Sequence, residues 1–207
     1  MDKNLSQNSI DPQCLQQALA WEQKMLAIGG LYREHFFEAF DRQLNLLFDK
    51  PISVLEVGSG PGHLAKALIE SVPITNYCLF DLSDAMNHIA LRHLESYQTR
   101  INCVAGSFLD AQDFTELELF DAVVCMQSVH EVRDKTLAVS IYNNVINQLK
   151  PDGYFLVCDF ICAPPNTNDA SIYMTQEEQK LALLESGFKS VSLVSAHAGL
   201  TLYSAQK

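Results

Sequence analysis

Basic residues are scarce in this chain: 14 Lys and Arg stand against 25 Asp and Glu, a net charge of −11. Phosphate backbones are bound by Lys and Arg, and no cluster of them interrupts the acidic average. Nucleic acid and anionic membrane surfaces are therefore not expected as partners. Long apolar runs are missing as well, since none approaches the ~18 residues that cross a bilayer. The opening Met1-Asp2-Lys3-Asn4 lacks the basic region and apolar stretch of a signal peptide. The six cysteines, Cys14, Cys78, Cys103, Cys125, Cys158 and Cys162, contain no C-x-x-C pair. Four lie in apolar, strand-like runs where a thiol behaves as a small core residue. Neither disulfides nor a metal is expected, and a cytoplasmic, reducing setting is. No internal repeat, low-complexity segment or flexible linker breaks the 207 residues, which suit one α/β domain with a helical addition.

That addition comes first, over residues 1–50. Asp11-Pro12 opens a helix, a cap oxygen followed by proline in the first turn. The helix is expected to end at Gly29-Gly30. A second one, with Phe36, Phe40, Leu44 and Leu47 on one stripe, is stopped by Pro51. The remainder, 51–207, alternates. Strands are expected at 52–57, 77–81, 101–105, 120–127 and 154–160. Helices are expected at 61–72, from Ser83 to about 97, briefly around Phe114, and at 134–150, followed by a turn at Pro151-Asp152-Gly153. Continuous apolar strands separated by helices indicate a parallel sheet covered on both faces. The end departs from this pattern. Thr175-Gln176-Glu177-Glu178 is a capping box opening a helix, which Gly187 ends. Strands at 191–196 and 200–204 then follow with only three residues between them, too few for a parallel crossover, so they pair antiparallel.

The chemistry concentrates at Val54-Leu55-Glu56-Val57-Gly58-Ser59-Gly60-Pro61-Gly62. A buried strand runs into three glycines and then a helix whose first N–H groups are unpaired, which makes a nucleotide-sized pocket. The glycine spacing is G-x-G-x-G, one place short of the dinucleotide fingerprint G-x-G-x-x-G. Glu56 points an acid at the same loop, ill-suited to a pyrophosphate and well suited to an amino group or another cation. Asp81 closes the second strand, placed for bidentate bonding to two ribose hydroxyls. The ligand read from these residues is an adenosine-type nucleoside with a positively charged tail.

With Phe120-Asp121-Ala122-Val123-Val124, Leu149-Lys150-Pro151-Asp152-Gly153 and the terminal reversed hairpin, these residues resemble the class I S-adenosylmethionine-dependent methyltransferases over about residues 52–207. The resemblance implies a Rossmann-like seven-stranded sheet of order 3-2-1-4-5-7-6, with strand seven antiparallel, beneath an N-terminal helical cap. It implies S-adenosylmethionine as cofactor, S-adenosylhomocysteine as product and a small-molecule acceptor. Carried over by position, Gly58, Ser59 and Gly60 lie against the methionine part and ribose, with Glu56 near the amino end. Asp81 holds the ribose, Leu82 and Met86 cover the two adenine faces, and Cys125 offers a backbone carbonyl. Many members carry an acid after the glycine that closes strand three. Here Ser107 stands in its place, followed by Phe108 as a stacking surface.

Because the sulfonium is already activated, positioning is the main catalytic task and alone supplies roughly 7–11 kcal/mol. A base is needed only for an acceptor that arrives protonated. The residues after strand four, Gln127-Ser128-Val129-His130-Glu131, are where substrate is expected. His130 is the candidate base, weighed against a packing and hydrogen-bonding role. Gln127 and Ser128, with Tyr32 and Arg33 of the cap, are candidate substrate contacts. Trp21 is ambiguous between core and pocket. Asp159 reads as a hydrogen-bonding cap at the end of strand five. His63, His88, His93 and His197 show no metal-ligand spacing. Two other readings stay open: a non-catalytic cofactor-binding or interaction module of the same fold, and, less favoured, an NAD-dependent oxidoreductase. A protein methyltransferase is disfavoured by the short segment after strand five. The acceptor atom and the oligomeric state are not encoded in any of these motifs.

Overall fold

The computed structural model describes residues 12–161 and 171–207. A single helix, α1 (Pro12–Leu47), precedes β1 (Ile52–Val57), α2 (His63–Ser71), β2 (Ile74–Asp81), α3 (Asp84–His93) and β3 (Ile101–Ala105). Next come β4 (Phe120–Met126), α4 (Ala138–Asn147), β5 (Leu149–Phe160), α5 (Gln176–Glu185), β6 (Ser190–His197) and β7 (Leu200–Gln206). The seven strands form one sheet of order β3-β2-β1-β4-β5-β7-β6. The first five pair in parallel, and β7 runs antiparallel to both β5 and β6.

The continuous apolar strands are explained by a core on each face of the sheet. Along β1, Ile52 and Val54 join one cluster with Phe36, Phe40, Leu68 and Tyr77, while Leu55 and Val57 join the other with Tyr142, Val145 and Phe155. Period-two alternation thus sends successive residues into different apolar layers rather than into one layer and solvent. The second half of α1 is part of the first layer: Phe36, Ala39, Phe40 and Leu44 are each at most 2% exposed. Its first half packs on α3, with Ala18 against Ala85 and Ile89.

Several expected boundaries move. The helix break at Gly29-Gly30 does not occur; α1 runs through both glycines. Each glycine costs about 1 kcal/mol relative to alanine in a helix, a cost outweighed by the burial of Phe36, Ala39, Phe40 and Leu44 on one side and of Ala18 on the other. The helix expected at 134–150 begins instead as a 3₁₀ turn capped by Asp134, becomes α4 and stops at Asn147. Leu149 already pairs with Phe120 in the sheet. The turn expected at Pro151-Asp152-Gly153 is therefore an irregularity inside β5, where the register slips between Phe120 and Ala122 and Asp152 has φ 61°. Gly153 is needed there, since a Cβ would sit 2.9 Å from the Asp121 carbonyl oxygen. The helix from Ser83 stops at His93 and tightens into a 3₁₀ segment, Glu95–Arg100. The Thr175 capping box forms as expected, with both of its hydrogen bonds. Cys78, Cys103, Cys125 and Cys158 are buried, while Cys162 lies outside the described residues.

Candidate active site

The carboxyl ends of the five parallel strands share one edge, and the strand order reverses between β1 and β4. Open α/β sheets bind their ligands in the crevice at such a switch point. Here the crevice is a cavity of about 270 Å³. The glycine loop contributes Glu56, Gly58, Ser59, Gly60 and Pro61, and the segment after β4 contributes Met126, Gln127, Ser128 and Glu131. Phe160 ends β5, Ala198 comes from the β6–β7 turn, and α1 lays Trp21, Met25, Tyr32, Arg33 and Phe37 across the opening.

The loop is held in place from several directions. Gly58 has φ 69°, and its N–H donates to the Phe80 carbonyl at 2.8 Å. A Cβ on Gly58 would stand 2.4 Å from both Cβ and Oγ of Ser128, so no side chain fits. Ser128 is 8% exposed, and its hydroxyl donates to the Gly58 carbonyl at 2.9 Å, clamping the β4 end to the loop. Gln127, at φ 55°, has left-handed backbone unusual for a residue with a side chain. Its N–H donates to the Cys158 carbonyl at 2.7 Å, which fixes the turn to β5.

Asp81 joins the second strand to the same loop. One carboxylate oxygen accepts from the Gly60 N–H at 2.7 Å and the other from the Ser83 N–H at 2.9 Å. Burial raises its pKa, and those two hydrogen bonds oppose the rise. Each carboxylate oxygen keeps a further lone pair for a ligand hydroxyl. Glu56 lies deeper, 3% exposed, and accepts from the Tyr77 hydroxyl at 2.8 Å. Burial, reinforced by repulsion from Asp81 and opposed by the Tyr77 bond, lifts its pKa to about 8. A buried, protonated acid at the floor of a cavity is poised to ionise when a cation arrives.

His130 lies just behind the cavity wall. Its Nδ1 is 2.5 Å from Asp159 Oδ1, and its Nε2 is 3.4 Å from the Glu131 carboxylate. Asp159, 2% exposed, also accepts from the backbone N–H groups of His130 and Phe160, the capping role read from its position. Burial alone lowers the His130 pKa, but the bonds to Asp159 and Glu131 outweigh it and raise the value to about 9. At neutral pH the ring is an imidazolium between two carboxylates.

Of the residues singled out from sequence, the cavity brings together Tyr32, Arg33, Glu56, Gly58, Ser59, Gly60, Gln127 and Ser128. Asp81, Leu82, Met86, Ser107, Phe108, Cys125 and His130 are not on its walls. Leu82 is 75% exposed just beyond Asp81, and Met86 packs beside Ala18 and Ile89. Ser107 uses its hydroxyl to accept from the Leu109 N–H at 3.3 Å. The Phe108 ring reaches to 3.7 Å from the Cβ position of Gly58. Cys125 is sealed within β4, where burial pushes its thiol pKa well up.

Sequence reasoning missed Met25, Phe160 and Ala198 on the cavity wall and left Trp21 undecided. Trp21, Met25, Tyr32 or Arg33, and Phe37 recur at near-helical spacing, a stripe that shows only when α1 is read through its two glycines. It also missed a cluster formed by Glu22, His63 and His93, whose ligand-capable atoms lie within 4.8 Å of one another.

Comparison with known proteins agrees with this geometry. The profile of the family described as "Methyltransferase domain" matches residues 32–205. The chain is 24% identical over 152 residues to O-methyltransferase 12 of Dictyostelium discoideum, an alignment covering 69% of this chain and 40% of that protein. An O-methyltransferase family protein from Burkholderia thailandensis superposes with TM-score 0.75 at 16% identity, covering 92% of this chain and 59% of that one. Human N-acetylserotonin methyltransferase, solved in complex with S-adenosylmethionine, superposes with TM-score 0.66 at 18% identity, covering 94% and 55%. The chain thus spans less than two thirds of the length of each of these proteins, and the two solved structures share its fold. The chain belongs to the methyltransferase domain family, in the seven-stranded Rossmann-like class.

Proposed function

We propose that the protein transfers the methyl group of S-adenosylmethionine to a small-molecule acceptor. The observation that carries this reading is the buried Glu56 carboxyl beneath three left-handed glycines at the sheet's switch point. These residues suit a nucleoside with a cationic tail. Glu56 and the loop backbone face the amino-acid end, and Asp81 offers its free lone pairs to the ribose. The exposed Leu82, with Met86, Ser107 and Phe108, borders the adenine, and the Cys125 carbonyl completes the amino-end contacts. The bound cofactor would supply an electrophilic methyl group on a sulfonium, displaced in line with a thioether as leaving group.

The chain's own residues then orient the acceptor. Tyr32, Arg33, Gln127 and Ser128 line the side facing the cap, with Trp21 and Phe160 giving apolar area. In this reading His130 is a positioning residue: cationic at neutral pH, it sets the Glu131 carboxylate on the cavity wall. Proton removal falls to Glu131 or to solvent, and an acceptor that is already anionic needs neither. The cavity of about 270 Å³, with α1 and the β6–β7 turn at its opening, has the dimensions of a small-molecule site. The net charge of −11 argues against nucleic acid. Among the described residues no helix is long and apolar enough to cross a membrane, and the buried thiols suit a reducing, cytoplasmic setting.

Calorimetry with S-adenosylmethionine and S-adenosylhomocysteine tests the cofactor. Saturable binding of both is expected, and absence of either at high micromolar concentration would overturn the reading. Transfer of labelled methyl to a panel of small phenols, amines, thiols and carbon acids tests the reaction. Binding without transfer to any class would favour the non-catalytic module instead.

A further inference from the structure

Glu22 on α1, His63 at the first position of α2 and His93 at the last position of α3 converge from three separate elements. His63 Nε2 is 2.8 Å from Glu22 Oε1, and His93 Nε2 is 3.6 Å from the same oxygen. The Glu22 side chain is 7% exposed, so this carboxylate has left solvent. Yet neither Glu22 Oε1 nor His63 Nε2 makes a hydrogen bond, although both atoms are buried. The two atoms are close but out of line for a hydrogen bond, and both stand unpaired. A buried carboxylate oxygen without a hydrogen bond is costly, and a cation bound between it and the two imidazoles would satisfy it.

His93 reinforces this arrangement. Its Nδ1 lies 2.9 Å from the Pro61 carbonyl oxygen. A carbonyl only accepts, so Nδ1 is the donor there, and Nε2 is the ring nitrogen turned towards Glu22. A backbone carbonyl orienting a histidine through its second nitrogen is the usual outer shell of a metal-bound imidazole. Tetrahedral bonds of about 2.0–2.1 Å place ligand atoms roughly 3.3 Å apart, between the two distances observed. Two imidazoles and one carboxylate suit zinc and its neighbours, and they do not suit calcium or magnesium, which take oxygen ligands. The His93 side chain is 34% exposed and leaves the cluster an edge for entry.

We infer that Glu22, His63 and His93 bind a divalent transition-metal ion of the zinc class, which fastens α1 to the two helices flanking the glycine loop. Trp21 adjoins Glu22 and His63 follows Gly62, so the ion would fix the α1 wall of the cavity to its loop wall.

The test uses the full chain, stripped with chelator and free of cofactor, so its outcome is separate from the methyl-transfer reading. Zinc chloride is titrated calorimetrically, and cobalt(II) is added to record ligand-field absorption. About one equivalent is expected, with visible bands of a four-coordinate nitrogen–oxygen site and a rise in Tm. His93→Gln and Glu22→Gln should each weaken binding by about tenfold or more and abolish the bands. His35→Gln is the control, because His35 and His197 form the other close histidine pair, with ring centroids 4.6 Å apart; it should change nothing. Circular dichroism confirms that each variant is folded, and either cluster variant suffices. No saturable binding up to millimolar zinc would overturn the inference. So would affinity unchanged in the folded cluster variants, or lost in His35→Gln.

Discussion

The two walls of the cavity are built on different principles. The strand-end wall, from Glu56 to Gly62 and from Met126 to Glu131, is positioned by backbone. Its groups are tied by hydrogen bonds from Gly58, Gly60, Gln127 and Ser128 to three neighbouring strands or loops. The α1 wall is positioned by side chains lying on the first wall. Trp21 and Tyr32 remain 39% and 42% exposed while lining the cavity. A site that must hold one invariant cofactor benefits from preorganised backbone, whereas a wall of projecting side chains changes shape by substitution without disturbing the sheet. Under the proposed function, cofactor recognition belongs to the first wall and acceptor choice to the second.

The strongest way to break that contrast is Gly58→Ala. The added Cβ meets Ser128 at 2.4 Å, and the residue must hold φ 69°. Overpacking and left-handed strain together should cost roughly 2–4 kcal/mol, read as a lowered urea midpoint, and cofactor binding should be lost. Gly60→Ala is the internal comparison, since a Cβ there meets nothing within 4 Å. It carries only the cost of φ 52°, about 1 kcal/mol. Equal losses from the two would show that strain, not the Ser128 clamp, sets the loop.

Next in size is Glu56. Its pKa of about 8 lies above the ordinary 4.5, so its contribution to stability is complete only below about pH 4.5. That contribution is lost as pH rises through about 8, by up to ~1.4 kcal/mol per pH unit. A cationic ligand favours the ionised form, so binding at pH 7 should release close to one proton, and affinity should climb with pH up to about 8. Calorimetry in buffers of different ionisation enthalpy measures that proton. In Glu56→Gln the release should vanish, and the fall in stability between pH 5 and 8 should flatten. Proton release unchanged in the variant would put the titrating group elsewhere.

Much of the first wall was legible in sequence and little of the second, for a physical reason. The loop announces itself through residues that only its backbone requires: Gly58 and Gly60 with positive φ, an acid before them and Asp81 at the end of the next strand. The bounds of β3 and the Thr175 capping box were likewise readable, because each is set by local chemistry. The α1 wall depends on tertiary packing. Gly29-Gly30 reads as a stop, and only the burial of Phe36 and Phe40 beneath the sheet's first layer carries the helix through. The Glu22–His63–His93 cluster joins three elements and has no spacing signature at all. The Asp159–His130–Glu131 arrangement was not readable either, because proximity to two carboxylates, one of them 29 residues away, outweighs the burial that would keep the ring neutral.

His130 sharpens the contrast from the side where the walls meet. Its raised pKa, about 9, means that it stabilises the fold fully below its ordinary 6.5, and that this contribution is lost as pH rises through about 9. Asp159→Asn removes the closer carboxylate, and burial should then pull the His130 pKa down. The imidazole titration followed by NMR should move by at least one pH unit, and the alkaline loss of stability should diminish. If His130 only positions Glu131, kcat in Asp159→Asn should drop without acquiring a new basic limb near pH 9. A wild-type rate that instead rises through pH 9 would return the base role to His130.

The smallest effect belongs to the α1 wall itself. Trp21 is partly exposed and outside the main apolar layers, so Trp21→Ala should change the urea midpoint by less than about 1 kcal/mol. Cofactor affinity should stay the same, because no atom of the loop depends on it. What should change is KM for the acceptor, by roughly threefold to tenfold, matching ~1 kcal/mol of lost apolar contact, with kcat nearly constant. A fall in cofactor affinity as large as the rise in acceptor KM would mean that α1 shapes both ends of the cavity, and the division of labour between the two walls would not hold.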